Sequence, residues 1–545
     1  MLIKVKTEAG KKALDMLVAD QKKRYIAVEV NGKLEELNYI FKEDKEVELN
    51  FLDLSDINAV NIYEASLRYL VSLALKTIDP KLDCRFFYNI SRSIFCRVIS
   101  KKKQLITPVF VDKIFKRMKE IVELDVPFTR ERVTKEEAIT LYHQQTFIDK
   151  INTLKYRPEN FVHLYLCEAF GIKYYDYPYS QMVPSSGYLK DFILRYYDPG
   201  FLIQTPRAEC GGKIPAFEDE IKFATTLADS SKWSESNHLD TPANINRFLK
   251  RYGATALINL SESRINEMLV NLVNDIVKDD HIERLICIAG PSSSGKTSFA
   301  NRLTYALMSK GLRPVRISID DFYIPRDQLS EDADLESLDS IDVDFFNTAI
   351  VSLLSGEEVR MPRFDFKSGK RTFLKPLQIN YNQPLIIEGI HALNNRLGTL
   401  VPEHQKYRIY IAPQPQLNID NHTPMSMTDL RLLRRICRDA RTRGSDAKAT
   451  ISMWPSVRKG EFKYIYPGEE NADFVFDSFL PYEPCALRNL VVPLLNKVSP
   501  DDKEYATAIR LKSLLKYFLP IDTDDVPCNS LMREFIGGSS FKDAR

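Results

Sequence analysis

The chain has 545 residues, enough for about three or four domains of ordinary size. Its 76 basic and 74 acidic side chains nearly cancel, which argues against a protein that binds polyanions over its whole surface. The eight cysteines include no C-x-x-C pair, so neither a zinc site nor a disulfide framework is indicated. No apolar run is long enough to span a membrane, and the N-terminus lacks the apolar core of a signal peptide, so we expect a cytoplasmic protein.

The first part of the chain is predicted to be rich in β-strands. Residues 25–30 and 46–49 have the composition and alternation of strands, and Asn31-Gly32 predicts a tight hairpin turn. From Ile62 onward the apolar spacing changes to that of a helix. We therefore expect a small β-rich unit followed by a helix.

The middle of the chain gives weaker signals. Residues 80–240 are rich in tyrosine and phenylalanine and are interrupted by turn sequences, which indicates a globular region of mixed structure. Residues 262–279 have the apolar spacing of an amphipathic helix. This helix is expected to lead into the C-terminal part of the chain.

A phosphate-binding loop pattern, G-x-x-x-x-G-K-[ST], is matched at every fixed position by Gly290-Pro291-Ser292-Ser293-Ser294-Gly295-Lys296-Thr297. An apolar strand at 285–289 precedes the loop, and a helical pattern at 298–309 follows it. Backbone N–H groups of such a loop surround phosphate oxygens, and Ser298 extends the predicted ATP-binding set into the helix. Lys296 can reach the β- and γ-phosphates, and the Thr297 hydroxyl can ligate Mg²⁺.

Residues 283–490 alternate short apolar strands with helical segments. The candidate strands are 285–289, 315–319, 385–387, 407–411 and 474–476. This alternation predicts an α/β domain with a parallel sheet and helices on both faces. Residues 503–518 predict a C-terminal helix.

Two acidic residues at predicted strand ends are candidates for chemistry. Asp320 would lie beside the nucleotide crevice and accept the proton of a substrate hydroxyl, although a helix cap or solvated turn has the same pattern. Glu388 would bind Mg²⁺ directly or through water, with an ordinary strand end as the alternative. The nearby His391 is expected to be structural rather than catalytic.

Six arginines fall within residues 431–443 in a helical context. We expect the helix to spread Arg431, Arg434, Arg435 and Arg438 over its polar faces. A lid that closes over a transferring phosphoryl group is the favoured interpretation, and a solvated surface helix or an RNA contact are the alternatives.

A second segment, 361–371, is predicted to be a hairpin or loop. It combines aromatic and basic residues after Pro362. The aromatic rings either stack on a base or belong to the core, and the sequence does not separate these alternatives.

Together these motifs resemble the uridine kinase/phosphoribulokinase family of P-loop kinases over residues 283–483. In that family the glycine loop is followed by a D-x-F-Y-like motif, a D-x-P segment, a P-x-Y-D-F-x-x-H-x-R segment, E-G-I and an arginine-rich lid. The corresponding positions here are 320–323, Asp339 onward, 362–371, 388–390 and 429–446.

The resemblance implies a role for each matched residue. Asp320 would activate a ribose 5′-hydroxyl, and Mg²⁺ would be surrounded by Thr297, Asp320 and Glu388. The implied substrate contacts are Asp339, Tyr323, Phe364 and Arg435. The implied catalytic contacts to phosphates are Lys296, Arg438 and Arg443. Two positions depart from the family, because its aromatic hydroxyl is Phe364 here and its base-contacting histidine is Gly369, so readout of the nucleobase is expected to be altered.

The N-terminal half also resembles known domains. Residues 1–60 resemble a TGS-type, ubiquitin-like β-grasp domain, and residues 61–240 resemble the second additional domain of threonyl-tRNA synthetase. The synthetase domain's histidines are absent from residues 88–93, so an editing hydrolase is not expected. The expected fold class is multidomain: the β-grasp-like domain, a mixed α+β domain to 240, connecting helices at 241–282, an α/β P-loop kinase domain at 283–490, and a C-terminal helix and tail at 491–545.

The resulting hypothesis is ATP-dependent phosphorylation of a nucleoside 5′-hydroxyl, with ATP and Mg²⁺ bound at the loop. One alternative is a kinase for another small alcohol, such as a sugar phosphate or a vitamin precursor. A second is an RNA-associated, nucleotide-dependent sensor, although no basic stripe indicates nucleic-acid binding. The small-molecule nucleoside is the expected partner, and relatives of this type often form homo-oligomers.

Overall fold

The computed structural model describes residues 1–19, 21–100, 106–278, 283–330, 334, 336–365 and 368–542. In this part of the chain the strands form six sheets, of which a five-stranded parallel sheet lies in the C-terminal part. No helix among these residues is both long and apolar enough to cross a membrane.

The chain begins with a four-stranded antiparallel sheet. Its strands are β1 (Leu2–Lys6), β2 (Ala27–Val30), β3 (Lys33–Glu36) and β4 (Glu46–Leu52), in the order β1-β4-β2-β3. Asn31 and Gly32 have φ angles of 50° and 78°, the positive values that a two-residue hairpin turn requires. The predicted strands and turn are confirmed, whereas the β-grasp arrangement stays a prediction.

Helix α1 (Ile57–Ile78) is the central element of the N-terminal half. It begins where the Asp56 carboxylate caps the first turn by accepting from the N–H groups of Asn58 and Ala59. The elements that follow it are β5 (Asp83–Ile90), β6 (Ser93–Ile99), α2 (Pro108–Leu124), β7 (Thr129–Thr134), α3 (Lys135–Gln144), α4 (Ile148–Leu154), β8 (Phe161–Ala169), β9 (Ile172–Asp176), β10 (Ile193–Tyr197) and β11 (Gly200–Gln204). Two further sheets result, with the orders β10-β11-β6-β5 and β7-β8-β9. Buried side chains from Ala13 to Ile203 form one hydrophobic cluster, so the first sheet and the middle region share a core.

Three helices connect the two halves of the chain: α5 (Ile221–Ser236), α6 (Pro242–Tyr252) and α7 (Ala254–Ile276). The last is the predicted amphipathic helix. Its buried residues, including Ile265 and Leu272, belong to the hydrophobic cluster of the C-terminal part.

The C-terminal part contains the predicted α/β arrangement. Its elements are β12 (Leu285–Ala289), α8 (Lys296–Met308), β13 (Val315–Ser318), α9 (Val343–Leu354), β14 (Val359–Asp365), β15 (Lys370–Leu377), β16 (Leu385–Glu388), β17 (Lys406–Ala412), β18 (Asn418–Asp420), β19 (Thr423–Pro424), α10 (Met427–Thr442), α11 (Ala447–Tyr464), β20 (Phe474–Asp477), α12 (Glu483–Leu495), α13 (Tyr505–Leu515) and α14 (Arg533–Ile536). The parallel sheet has the order β13-β16-β12-β17-β20, and all five predicted strands are confirmed.

Apolar side chains cover both faces of this sheet. Along β12, Ile286 and Ile288 enter one hydrophobic cluster, whereas Leu285 and Cys287 enter another. Alternate residues of a strand point to opposite faces, so each face has its own core. This explains why the central strands have continuous apolar sequences rather than alternating ones.

A buried ionic network joins the N-terminal half to the β18–β19 hairpin. Lys150 Nζ lies 2.7 Å from Asp176 Oδ1 and 2.9 Å from Asp420 Oδ2. The ring of His422 pairs through Nδ1 with Asp176 at 2.6 Å and through Nε2 with Asp83 at 2.8 Å. Burial and Lys150 lower the pKa of His422, but the two carboxylates outweigh them and raise it well above its ordinary value. The ring of His422 and its two carboxylate partners therefore link the two halves.

Candidate functional site

The loop between β12 and α8 requires glycine at two positions. A β-carbon on Gly290 would lie 2.0 Å from the carbonyl oxygen of Ile411 on β17, so no side chain fits there. Gly295 has a φ of 90°, in the left-handed region, immediately before α8 begins at Lys296. Backbone geometry therefore explains why glycine occupies both fixed glycine positions of the predicted phosphate-binding loop.

Three serine hydroxyls of the loop and the first turn of α8 are buried and have no hydrogen-bond partner among the residues that the structure describes. They belong to Ser293, Ser294 and Ser298, which are 3%, 1% and 0% exposed. Buried polar atoms in proteins are nearly always paired, so unpaired hydroxyls here indicate a polar ligand. The start of α8 adds N–H groups without helical acceptors and the positive end of the helix dipole. The loop therefore fits the phosphate groups of ATP.

Lys296 is folded back over the start of the loop. Its Nζ donates to the carbonyl oxygens of Gly290 at 2.8 Å and Pro291 at 3.2 Å. Burial lowers the pKa of Lys296, and nearby carboxylates oppose this effect. Those carboxylates are Glu388, Glu534 and Asp320. The Lys296 ammonium group therefore lies in the electrostatic field of three carboxylates.

Asp320 and Glu388 come together because their strands are neighbours. β13 and β16 pair in parallel with Ser318 opposite Glu388, and Asp320 follows in a 3₁₀ turn. The Asp320 side chain is exposed to solvent at the edge of the site. Desolvation by the surrounding protein nevertheless raises the pKa of its carboxyl, and the positive charge of Lys296 opposes this effect. Burial raises the pKa of Glu388 to about 7, again against the effect of Lys296. Carboxylate and hydroxyl oxygens suit Mg²⁺, so these two groups and Thr297 at the start of α8 fit the predicted metal set.

The raised pKa of Glu388 predicts a pH-dependent stability. Its folded value of about 7 lies above the ordinary 4.5, so its contribution to stability is full below the ordinary value and is lost as the pH rises through about 7. Between about pH 5 and about pH 8, we expect the wild-type protein to lose about 2 kcal/mol of unfolding free energy relative to Glu388→Gln. Urea unfolding of both proteins without nucleotide or Mg²⁺ measures this difference. Identical pH profiles would contradict the assignment.

The arginine-rich helix is α10, and its arginines are arranged differently from the prediction. Arg431 and Arg434 are fully buried, so the expectation that they lie on polar faces is wrong. Arg431 Nε donates to the carbonyl oxygen of Ser292 at 2.9 Å, and Arg434 Nη1 donates to those of Ser293 and Ser294, each at 3.3 Å. A phosphate-binding loop turns its N–H groups to the ligand, so its carbonyl oxygens need donors from behind. The two arginines supply them.

Each of these two arginines has a buried carboxylate partner. Arg431 Nη1 lies 3.0 Å from Glu461 Oε2, and Arg434 Nη2 lies 2.8 Å from Glu483 Oε2. Sequence reasoning missed both acids, which lie far along the chain. A signal for the arginines was present, since positions 431, 434, 435 and 438 have the i, i+3, i+4, i+7 spacing of one helix face.

Three of the other four arginines surround a single buried carboxylate, that of Asp439. Nitrogen atoms of Arg435, Arg438 and Arg443 lie 3.2, 2.9 and 3.6 Å from its oxygens. Arg435 Nη1 also donates to the Ser292 hydroxyl at 2.9 Å, which places it at the loop, whereas the prediction had it reach the substrate side. Three cations around one anion leave an excess of positive charge beside the loop. This excess suits a ligand that carries several phosphates.

The predicted substrate aromatics pack against each other. The ring centroids of Tyr323 and Phe364 are 5.5 Å apart, and the two residues are 9% and 8% exposed. For Phe364 this favours the core interpretation of the hairpin β14–β15 over stacking on a base. The hairpin residues Phe366 and Lys367 lie outside the described residues.

The remaining predicted substrate residue, Asp339, is on the surface. Its side chain is 75% exposed and pairs with Arg396 at 2.8 Å, which lowers the pKa of the carboxyl. A ribose contact by Asp339 stays a prediction. At Gly369 a β-carbon would lie 2.6 Å from Cδ of Arg326, so a histidine would not fit in this arrangement. His391 is buried, and its Nε2 lies 2.9 Å from the Glu336 carbonyl oxygen, in keeping with the structural role expected for it.

Comparison with known proteins finds relatives of the C-terminal part. Residues 285–482 match the model of the phosphoribulokinase/uridine kinase family. The chain is 28% identical over 201 residues to a uridine kinase of Saccharomyces cerevisiae, a match that covers 36% of each protein. It is also 28% identical over 196 residues to a uridine kinase of Staphylococcus aureus, covering 35% of this chain and 86% of that protein. The chain thus spans only about a third of the length of the yeast relative.

A solved structure described as a possible uridine kinase from Bacillus stearothermophilus also matches. It is 18% identical, covers 39% of this chain and all of its own, and has a TM-score of 0.27. From the family match, residues 285–482 form a P-loop kinase domain of the phosphoribulokinase/uridine kinase family. Such a domain is a phosphotransferase with an alcohol group as acceptor.

Proposed function

We propose that the protein is an ATP-dependent kinase that phosphorylates the 5′-hydroxyl of a nucleoside and releases ADP. The observation that carries this proposal is the loop with three buried, unpaired serine hydroxyls, next to the carboxylates of Asp320 and Glu388. A phosphate cradle, a proton acceptor and metal ligands are the parts that phosphoryl transfer needs. The similarity to uridine kinases supports a nucleoside as the acceptor.

In the proposed reaction, Asp320 is the general base. Its carboxylate takes the proton of the acceptor hydroxyl as that oxygen forms a bond to the γ-phosphorus and the bond to ADP breaks. Desolvation has already raised the pKa of Asp320, which makes the carboxylate a better proton acceptor. Thr297, Asp320 and Glu388 would hold Mg²⁺, which when bound supplies neutralisation of phosphate charge.

The cationic groups would stabilise the charge of the transferring phosphoryl group. Lys296 exchanges its two carbonyl partners at the start of the loop for oxygens of the β- and γ-phosphates. Arg438 and Arg443 carry the excess positive charge around Asp439. They would also stabilise the negative charge of the transferring phosphoryl group. The reaction then depends on positioning and electrostatics rather than on a covalent intermediate.

A second candidate is a kinase for another small alcohol, such as a sugar phosphate or a vitamin precursor. Phe364 has no hydroxyl and is packed against Tyr323, and Gly369 has no side chain with which to contact a base. These two positions favour an acceptor whose recognition does not depend on the hairpin.

The deciding experiment is ADP release from Mg²⁺-ATP against a panel of nucleosides, sugar phosphates and pantothenate. We expect strong stimulation by at least one nucleoside, and none with the Lys296→Ala control protein. If only a non-nucleoside stimulates ADP release, the proposed mechanism stands but the acceptor is that compound rather than a nucleoside. Bound ATP with no stimulation by any acceptor, but with hydrolysis stimulated by RNA, would favour the nucleotide-dependent sensor instead.

A further inference from the structure

The C-terminal segment 527–537 lies against the phosphate-binding loop. The carboxylate Oε2 of Glu534 accepts a hydrogen bond from the backbone N–H of Ser298 at 3.2 Å. A β-carbon placed on Gly295 would lie 3.9 Å from Cβ of Leu531, so the same segment also borders the end of the loop. The segment is more than 200 residues away from the loop in sequence.

Several contacts fix this segment in place. Leu531, Met532 and Phe535 are fully buried in the hydrophobic cluster of the C-terminal part. The Ser530 hydroxyl donates to Glu262 on α7 at 2.6 Å, and Arg441 on α10 donates to the Glu534 carbonyl oxygen at 3.0 Å. The position of the Glu534 side chain is therefore built into the fold.

The N–H group that Glu534 occupies belongs to the phosphate site. Ser298 is the third residue of α8, so its N–H is one of the first-turn donors that have no acceptor within the helix. Phosphate oxygens bind such donors, and the positive end of the helix dipole favours any anion there. The Glu534 carboxylate is also an anion, and it accepts from the same N–H group of Ser298 that a phosphate oxygen would use.

The charge of Glu534 also acts on the catalytic groups. It raises the pKa of Lys296, where it is the second-largest carboxylate effect after Glu388. It also raises the pKa of Glu388 itself. Both effects place the carboxylate in the electrostatic field of the site where the phosphates of ATP are proposed to bind.

We propose that Glu534 is an internal competitor of the nucleotide phosphates, so that ATP binds only when the carboxylate leaves the N–H of Ser298. This inference rests on the proposed nucleotide site. The wild-type protein must break this contact before ATP binds, and the displaced carboxylate repels the phosphates, so the apparent affinity for ATP is weakened. The C-terminal segment is then an autoinhibitory element whose release permits binding.

The test is the equilibrium dissociation constant of ATP for the full-length wild-type, Glu534→Ala and Glu534→Gln proteins. We expect ATP to bind Glu534→Ala at least about tenfold more tightly than wild type, because a charge-assisted hydrogen bond no longer competes. Glu534→Gln keeps the size and an acceptor oxygen but loses the charge, so we expect an intermediate affinity. Asp524→Ala is the matched control, since it removes an exposed acid from the same part of the chain without touching the loop.

Hydrogen exchange gives a second readout that does not need a substitution. On ATP binding, the amides of residues 530–537 should exchange faster in the wild-type protein, because the segment loses its contact with Ser298. Equal ATP affinities together with unchanged exchange would overturn the inference and leave the nucleotide site intact. Weaker binding by Glu534→Ala would overturn it as well, since the carboxylate would then assist ATP. Absence of ATP binding in all four proteins would overturn both this inference and the proposed function.

Discussion

Replacing Asp320 with asparagine should lower the turnover of the acceptor reaction by about 10²- to 10⁴-fold, the usual size of a general-base contribution. The amide has nearly the same volume, but it does not take up a proton at neutral pH. ATP affinity should change little by comparison, because the loop and Lys296 supply the proposed phosphate contacts. Steady-state ADP release and equilibrium ATP binding measure the two effects separately.

Asp321 is the matched control for this experiment. It is the next residue in the same turn, and its Oδ1 accepts a hydrogen bond from the N–H of Phe364 at 3.3 Å. Asp321→Asn should therefore keep most of the turnover. Near-normal turnover in Asp320→Asn, or an equal loss in both variants, would show that Asp320 is not the base.

Replacing Arg434 with alanine should reduce the free energy of unfolding by about 3–5 kcal/mol, the cost of leaving one partner of a buried ion pair uncompensated. The partner, Glu483, is fully buried and would keep its charge without a counter-ion. The carbonyl oxygens of Ser293 and Ser294 would also lose a donor. We therefore expect weaker ATP binding in addition to lower stability, measured by urea unfolding and by ATP titration.

A double substitution separates the two effects. Arg434→Leu with Glu483→Leu removes both charges, so its stability should exceed that of the single Arg434→Leu protein. ATP binding should stay weak in the double variant, because the loop carbonyl oxygens still lack their donor. Recovery of ATP binding along with stability would show that Arg434 does not position the loop.

Local sequence patterns predict much of the C-terminal part correctly. The glycine loop, the apolar strand ahead of it and the helix after it are contiguous in sequence, and all five predicted strands of the parallel sheet are present. The resemblance to the kinase family also implies that Asp320 and Glu388 lie together, and the parallel pairing of β13 with β16 brings them to one edge of the sheet. The middle region gives no such prediction. Three of its strand pairs, β5–β6, β8–β9 and β10–β11, are hairpins, but its sheets are completed by the longer-range pairs β6–β11 and β7–β8.

The arginines of α10 show what the sequence leaves open. A helical stripe of arginine has the same pattern whether it faces solvent, a ligand or the back of a loop. Only the packed fold brings Glu461 and Glu483 to Arg431 and Arg434 and thereby makes their burial possible. Whether this face of α10 is buried or exposed therefore depends on residues that lie 30 and 49 positions away in the sequence.

The amino-acid sequence alone predicts a phosphate-binding loop on a parallel sheet, and an acid at or just after the end of two of its strands. The evidence for these features is local, because the loop's glycines, lysine and hydroxyls must be adjacent to work. Packing in three dimensions selects the groups that surround the loop from elsewhere: the buried arginines behind it and the Glu534 carboxylate in front of Ser298. Such contacts depend on how distant segments pack together, and neither spacing nor composition encodes them.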